Sequence, residues 1–158
     1  GRTVYTSNVQ LGGVDIMFTN GVSHMVVKSD MEGVNAVMNW LSYVPIRRFE
    51  APFIPPISQL TDPVERPVEF VPTSPNQTYD PRNLITGFTE ELTGRWISGF
   101  FDRDSFTEVL GGWARTVVAG RARLGGVPMG VIAVETRTVE ETFPADPARL
   151  DTDGRVLM

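Results

Sequence analysis

The sequence predicts an α/β protein. Three observations carry that expectation. Strand-like runs lie on either side of Asn20-Gly21, a capped helical pattern starts at Ser29, and β-rich runs flank Gly125-Gly126. Of the 158 residues, 41% are hydrophobic, which is the composition of a folded chain with a core rather than a disordered one.

Residues 14–27 read VDIMFTNGVSHMVV. Asn and Gly both tolerate positive φ, so the pair at 20–21 predicts a tight hairpin between two buried strands. A helix is expected next, because Ser29 and Glu32 have capping-box spacing, with Asp30 as an alternative cap. Val34, Val37, Met38 and Leu41 then repeat at helical intervals, and Pro45 ends the segment. From Pro45 to Pro81 prolines are so dense that an extended, irregular connection is expected, with a short strand at Val68–Val71. Asp80-Pro81 predicts a short helix through Leu84 and Ile85. A further helix is expected from Ser105, paired with Glu108 as a second capping box and weakened by Gly111-Gly112. The run TVVAGRARLGGVPMGVIAVET then predicts a hairpin around Gly125-Gly126, with Pro128 marking an edge position. Leu11-Gly12-Gly13 and Leu124-Gly125-Gly126 form a weak internal echo, each expected to precede a strand.

Charge and composition exclude several functions. The net charge is −5, from 19 acidic and 14 basic residues, and no Lys/Arg block breaks the balance. A nucleic-acid partner is disfavoured, since phosphate binding needs a basic patch. Membrane-surface binding lacks a basic amphipathic helix, and no apolar run reaches transmembrane length. Without cysteine, disulfides, thiolate metal sites and cysteine nucleophiles are excluded; the one histidine cannot form a His cluster. The start, Gly1-Arg2-Thr3-Val4-Tyr5, has neither an initiating Met nor a signal-peptide pattern, so a longer parent is expected.

Two long strings carry a resemblance. GRTVYTSNVQLGGVDIMFTNGVSHMVV with DMEGVNAVMNWLSYVP, and SGFFDRDSFTEVLGGWARTVVAGRARLGGVPMGVIAVETRTVE with FPADPARLD, resemble the carboxyltransferase region of eukaryotic multidomain acetyl-CoA carboxylases. Acyl-CoA carboxylase β subunits share a looser form of the pattern. The resemblance implies a crotonase-like (ClpP/crotonase) fold built from repeated ββα units, here a partial fragment spanning two related domains. Residues 1–46 would end the first carboxyltransferase subdomain, 47–98 would be an ordered Pro-rich connection, and 99–158 would begin the second.

For the parent, the resemblance implies carboxyl transfer from carboxybiotin to acetyl-CoA, giving malonyl-CoA, the committed step of fatty acid synthesis. Implied partners are acetyl-CoA, a biotin carrier domain and a second subunit in a homodimer; ATP with Mg or Mn would serve a separate biotin carboxylase region. A cytoplasmic or plastid location follows for the parent. The alternatives are a carboxyltransferase for propionyl-CoA or another acyl-CoA, or an isolated chain that is an inactive structural or CoA-binding fragment. Loss of carbon dioxide from carboxybiotin would leave a basic ureido group to take a methyl proton. The enolate so formed needs backbone N–H donors, which glycine-rich loops present at close range.

Candidate residues follow from those strings. Arg2, Gly12 and Gly13 are the catalytic candidates: Arg2 to grip a carboxylate with its guanidinium, the two glycines as a loop near the acyl-CoA or biotin pocket. Tyr5 and Asn8 are candidates to line the same pocket. Arg121 and Arg123 alternate onto one strand face, where two like charges want an anion such as a CoA phosphate. His24 and Glu135 are weighed as acid or base, with packing and a pair to Arg137 as their structural readings. Trp40, Trp96 and Trp113 read as packing residues. Asp102-Arg103-Asp104 has metal-like composition, and helix capping explains it more simply.

Overall fold

The computed structural model describes residues 9–74, 76–143 and 155–157. The element order is α1 (Val9–Gly12), α2 (Val14–Thr19), α3 (Asp30–Ser42), a 3-10 turn at Ile57–Gln59, α4 (Pro81–Thr86), β1 (Phe88–Thr89), β2 (Trp96–Ile97), β3 (Thr107–Val109), β4 (Val117–Leu124), β5 (Val127–Val134), β6 (Glu141–Phe143) and β7 (Arg155–Leu157). The strands form three antiparallel sheets, β1-β2, β3-β4-β5 and β6-β7.

The β3-β4-β5 sheet organises the molecule. Alternation along β4 sends Val118, Gly120 and Ala122 to one face and Ala119, Arg121 and Arg123 to the other. On the inner face Val118, Ala122 and Val131 form the core with Ile85 of α4, and Phe101, Phe106 and Ala133 pack around it. The turn between β4 and β5 is Gly125-Gly126, with φ of 58° and 82°, the left-handed pair that a two-residue hairpin needs. Its amides both donate to the buried Asp102 carboxylate, at 2.8 and 2.7 Å. The expected hairpin is present, and Pro128 sits on β5 at the sheet edge.

The expected helix after Ser29 is α3. Ser29 Oγ accepts from the Glu32 amide, and the Glu32 carboxylate accepts from the Lys28 amide at 2.7 Å. The expected cap at Asp80 also forms, its carboxylate accepting from the Arg82 amide with Pro81 in the first turn of α4. Between Pro45 and Asp80 the described chain is irregular apart from the 3-10 turn, because prolines withhold the donors a ladder needs.

Five local expectations are corrected. Residues 14–19 form helix α2, not a strand: Val14, Met17 and Phe18 share a helical face, and Asn20-Gly21 (φ 80° at Gly21) terminates that helix instead of turning a hairpin. Consequently Gly12-Gly13 joins two helices and does not precede a strand. Residues 107–109 are a strand; Ser105 caps no helix but donates to Asp102 O at 2.6 Å and accepts from the Arg123 amide at 3.0 Å. Asp102 likewise caps the β4-β5 turn rather than a helix. No strand forms at 68–71, where Pro67 and Pro72 interrupt donation; the Glu69 and Phe70 amides instead share Ser98 O, both at 3.1 Å.

Candidate functional site

The outer face of the sheet meets α3. In α3, Ala36, Asn39, Trp40 and, just past its end, Tyr43 recur at helical spacing and turn toward β3 and β4. Two hydrogen bonds fix the approach: Asn39 Nδ2 donates to Thr107 Oγ1 at 2.6 Å, and Tyr43 Oη donates to Ser105 O at 2.7 Å. A cavity of about 240 Å³ remains between the layers. Its walls are mostly apolar (Met25, Ala36, Val37, Val109 and Trp40), with His24, Asn39, Tyr43, Thr107 and Arg121 supplying polar atoms.

Arg121 is the charge in this cleft. Its guanidinium lies 5.8 Å from the Trp40 ring centroid, and among the described residues it has no hydrogen bond or ion pair. A cation held against an aromatic and left unpaired can take an anion by charge-assisted bonds. Tyr43 beside it is neutral, with its hydroxyl proton committed to Ser105 O; burial pushes that hydroxyl above the ordinary value of 10.0 while Arg123 opposes the shift. Pockets that bind small molecules combine apolar walls with a few converging polar groups, and this cleft has that make-up.

A second polar cluster lies at the other end of β5. Arg82 pairs with Glu108 at 2.5 Å, Asp80 at 3.3 Å and Glu135 at 3.4 Å. Arg137 donates to both Glu135 oxygens, at 3.0 and 2.9 Å, and pairs with Asp80 at 2.9 Å. These bonds, the Arg137 ones first, hold the Glu135 carboxyl down at about 2, against an ordinary 4.5. The Arg82 guanidinium is raised above its ordinary range, chiefly by Glu108. The expected Glu135–Arg137 pair is therefore present, and it consumes Glu135 as an acceptor. A charged groove beside it is lined by Arg82, Arg115, Glu135 and Arg137.

The candidate site residues separate into groups. Arg2, Tyr5 and Asn8 lie outside the described residues. Gly12 ends α1, and the Gly13 carbonyl opens α2 by accepting from the Ile16 and Met17 amides at 3.1 and 3.0 Å. Arg121 and Arg123 do share a face, but Arg123 is engaged with carbonyls while Arg121 looks into the cleft. His24 lines the same cleft. Sequence reading missed Asn39 and Tyr43 and gave Trp40 to packing alone. Their 36–39/40–43 periodicity was available as a signal, masked by the stronger Val34–Val37–Met38–Leu41 stripe. Among the described residues no group of three His, Asp or Glu converges as a metal site.

A family model described as a carboxyl transferase domain matches residues 1–157. The chain is 52% identical over 157 residues to acetyl-CoA carboxylase 2 of Arabidopsis thaliana, covering 99% of this chain and 6% of that relative. It is 51% identical over 158 residues to acetyl-CoA carboxylase of Schizosaccharomyces pombe, covering all of this chain and 7% of the relative. With acetyl-CoA carboxylase dmxL1 of Cryptosporiopsis sp. the identity is 55% over 158 residues, again 100% of this chain and 7% of the relative. Among solved structures, a chain of the transcarboxylase 12S hexamer is similar with a TM-score of 0.64 and 22% identity, covering 82% of this chain and 23% of that one. That likeness is one of fold alone. The chain belongs to the carboxyl transferase domain family. It spans only 6–7% of the length of these curated relatives.

Proposed function

We propose that this chain is part of the carboxyltransferase of a biotin-dependent acetyl-CoA carboxylase, which moves a carboxyl group from carboxybiotin to acetyl-CoA and makes malonyl-CoA. The observation that carries the reading is identity above 50% to three acetyl-CoA carboxylases along essentially the whole chain. In this reading residues 1–46 and 99–158 belong to two related subdomains, and 47–98 connect them. The biotin carrier domain, a second subunit of a homodimer, and ATP with Mg or Mn at a separate carboxylase region complete the parent. The parent works in the cytoplasm or a plastid.

Within this chain, Arg121 takes an anionic group of the acyl-CoA. Trp40, Val37 and Val109 supply the apolar wall beside it. Arg2, Tyr5 and Asn8, with Gly12 and Gly13, belong to the same transfer site, Arg2 as a carboxylate grip. Biotin enters as a substrate carried by another part of the parent. This chain's task is to bind and orient the acyl partner.

The test is malonyl-CoA formation by the full-length protein supplied with ATP, bicarbonate and acetyl-CoA. Enzyme-dependent malonyl-CoA is expected. Carboxylation of propionyl-CoA with none of acetyl-CoA would replace this reading by the related acyl-CoA carboxylase.

A further inference from the structure

β4 carries two arginines on one face, and the fold uses them in opposite ways. Arg121 has no polar partner among the described residues and faces the cleft. Both Nη atoms of Arg123 are engaged. Its Nη1 donates to Gly126 O at 2.9 Å and Phe53 O at 3.2 Å, and its Nη2 donates to Ser42 O at 2.8 Å and Ser42 Oγ at 3.2 Å. Its guanidinium also lies 4.8 Å from the Tyr43 ring centroid. The acceptors belong to three separate parts of the chain: the β4-β5 turn, the Pro-rich segment and the last residue of α3.

All of these acceptors are neutral, so Arg123 is not there to balance a carboxylate. A planar fork with five donors can tie three carbonyl-bearing segments at once, which a lysine cannot. A cation at the last turn of a helix also suits the helix dipole. The other cross-layer hydrogen bonds of this helix, from Asn39 and Tyr43, go to Thr107 and Ser105 on and beside β3. Arg123 is therefore the tie that fixes the C-terminal end of α3 over β4.

We infer that Arg123 is a positioning residue for the Arg121 cleft: by clamping the end of α3 it sets the spacing between Trp40, Tyr43 and Arg121. The inference rests on the reading of Arg121 as an anion-binding group. Arg123 itself does not touch the acyl-CoA.

The experiment measures kcat, KM for acetyl-CoA and melting temperature of the full-length enzyme, with Arg121→Met, Arg123→Met, Arg123→Lys and the double Met variant. Arg121→Met is expected to raise KM about tenfold through one lost charge-assisted contact. Arg123→Met is expected to raise KM about fivefold with kcat within about twofold, and to add nothing in the Arg121→Met background, as coupled sites do. Arg123→Lys, which keeps the cation at the helix end, falls between wild type and Arg123→Met. Where Arg123→Met does not fold, Arg123→Lys alone and combined with Arg121→Met decides by the same comparison. A lower melting temperature with unchanged KM overturns the inference and leaves Arg123 a structural tie. Additive KM effects also overturn it, because they make Arg123 a direct ligand. An unchanged KM for Arg121→Met overturns the anion reading of the cleft, and this inference with it.

Discussion

Glu135 and Arg121 show what position does to a charged side chain. The Glu135 side chain is only 4% exposed, and its cover consists of Arg82 and Arg137 rather than deep core. A carboxylate held this way keeps its charge far into acid. Its folded value is depressed, to about 2 from an ordinary 4.5, so its contribution is fully present above 4.5 and is lost as pH falls through about 2. Urea midpoints measured against pH are expected to decline across that window. Glu135→Gln is expected to start lower and to flatten the decline. A variant with the wild-type slope would assign the acid sensitivity elsewhere. The pairing of Glu135 with Arg137 was legible because the two are neighbours in sequence. Arg82 was not, since only the fold brings it across 53 positions to Glu135.

Elements depended on whether a signal had one physical meaning. Gly125-Gly126 lay between two β-rich runs, and only a hairpin satisfies that pattern. Asn20-Gly21 was ambiguous, because the same left-handed glycine that turns a hairpin also ends a helix. The apolar run before it had the 14, 17, 18 spacing that favours the second outcome. The Ser105–Glu108 spacing misled for a related reason: Ser105 spends its hydroxyl on Asp102 O and the β4 backbone, leaving Thr107 and Val109 to their β preference. The β4-β5 turn makes its own prediction. Asp102 is 8% exposed and accepts from both glycine amides. Asp102→Ala strands two donors and is expected to cost about 2–4 kcal/mol by chemical denaturation. Asp102→Asn, which keeps an acceptor, is expected to cost about half of that. Equal losses in the two variants would show that volume, not donor satisfaction, holds the turn.

At the scale of the molecule, apolar surface is placed unevenly. The inner face of the sheet is covered, whereas on the outer face Ile132 is 84% and Val134 71% exposed. β5 is also an edge strand, and its sequence VPMGVIAV has no charge to discourage pairing. The 158-residue chain is expected to self-associate, with sedimentation coefficients that rise with concentration. Ile132→Lys places a charge on that edge and is expected to return the chain to a monomer; persistent association would locate the contact elsewhere, α3 being the next candidate with Met31 and Met38 exposed. The α/β class was legible in the sequence because it needs only periodicity. The cleft was not, because it is made where α3 meets a sheet more than sixty residues later, and periodicity does not say which faces meet.

Under the proposed function Arg121, which has no polar partner among the described residues and faces the mostly apolar cleft between α3 and β4, receives the anionic part of an acyl-CoA. Titration calorimetry of acetyl-CoA into the full-length protein and its Arg121→Met variant is the test. Binding weaker by about tenfold in the variant, at an unchanged melting temperature, is the predicted result. Equal affinity in the two proteins contradicts it.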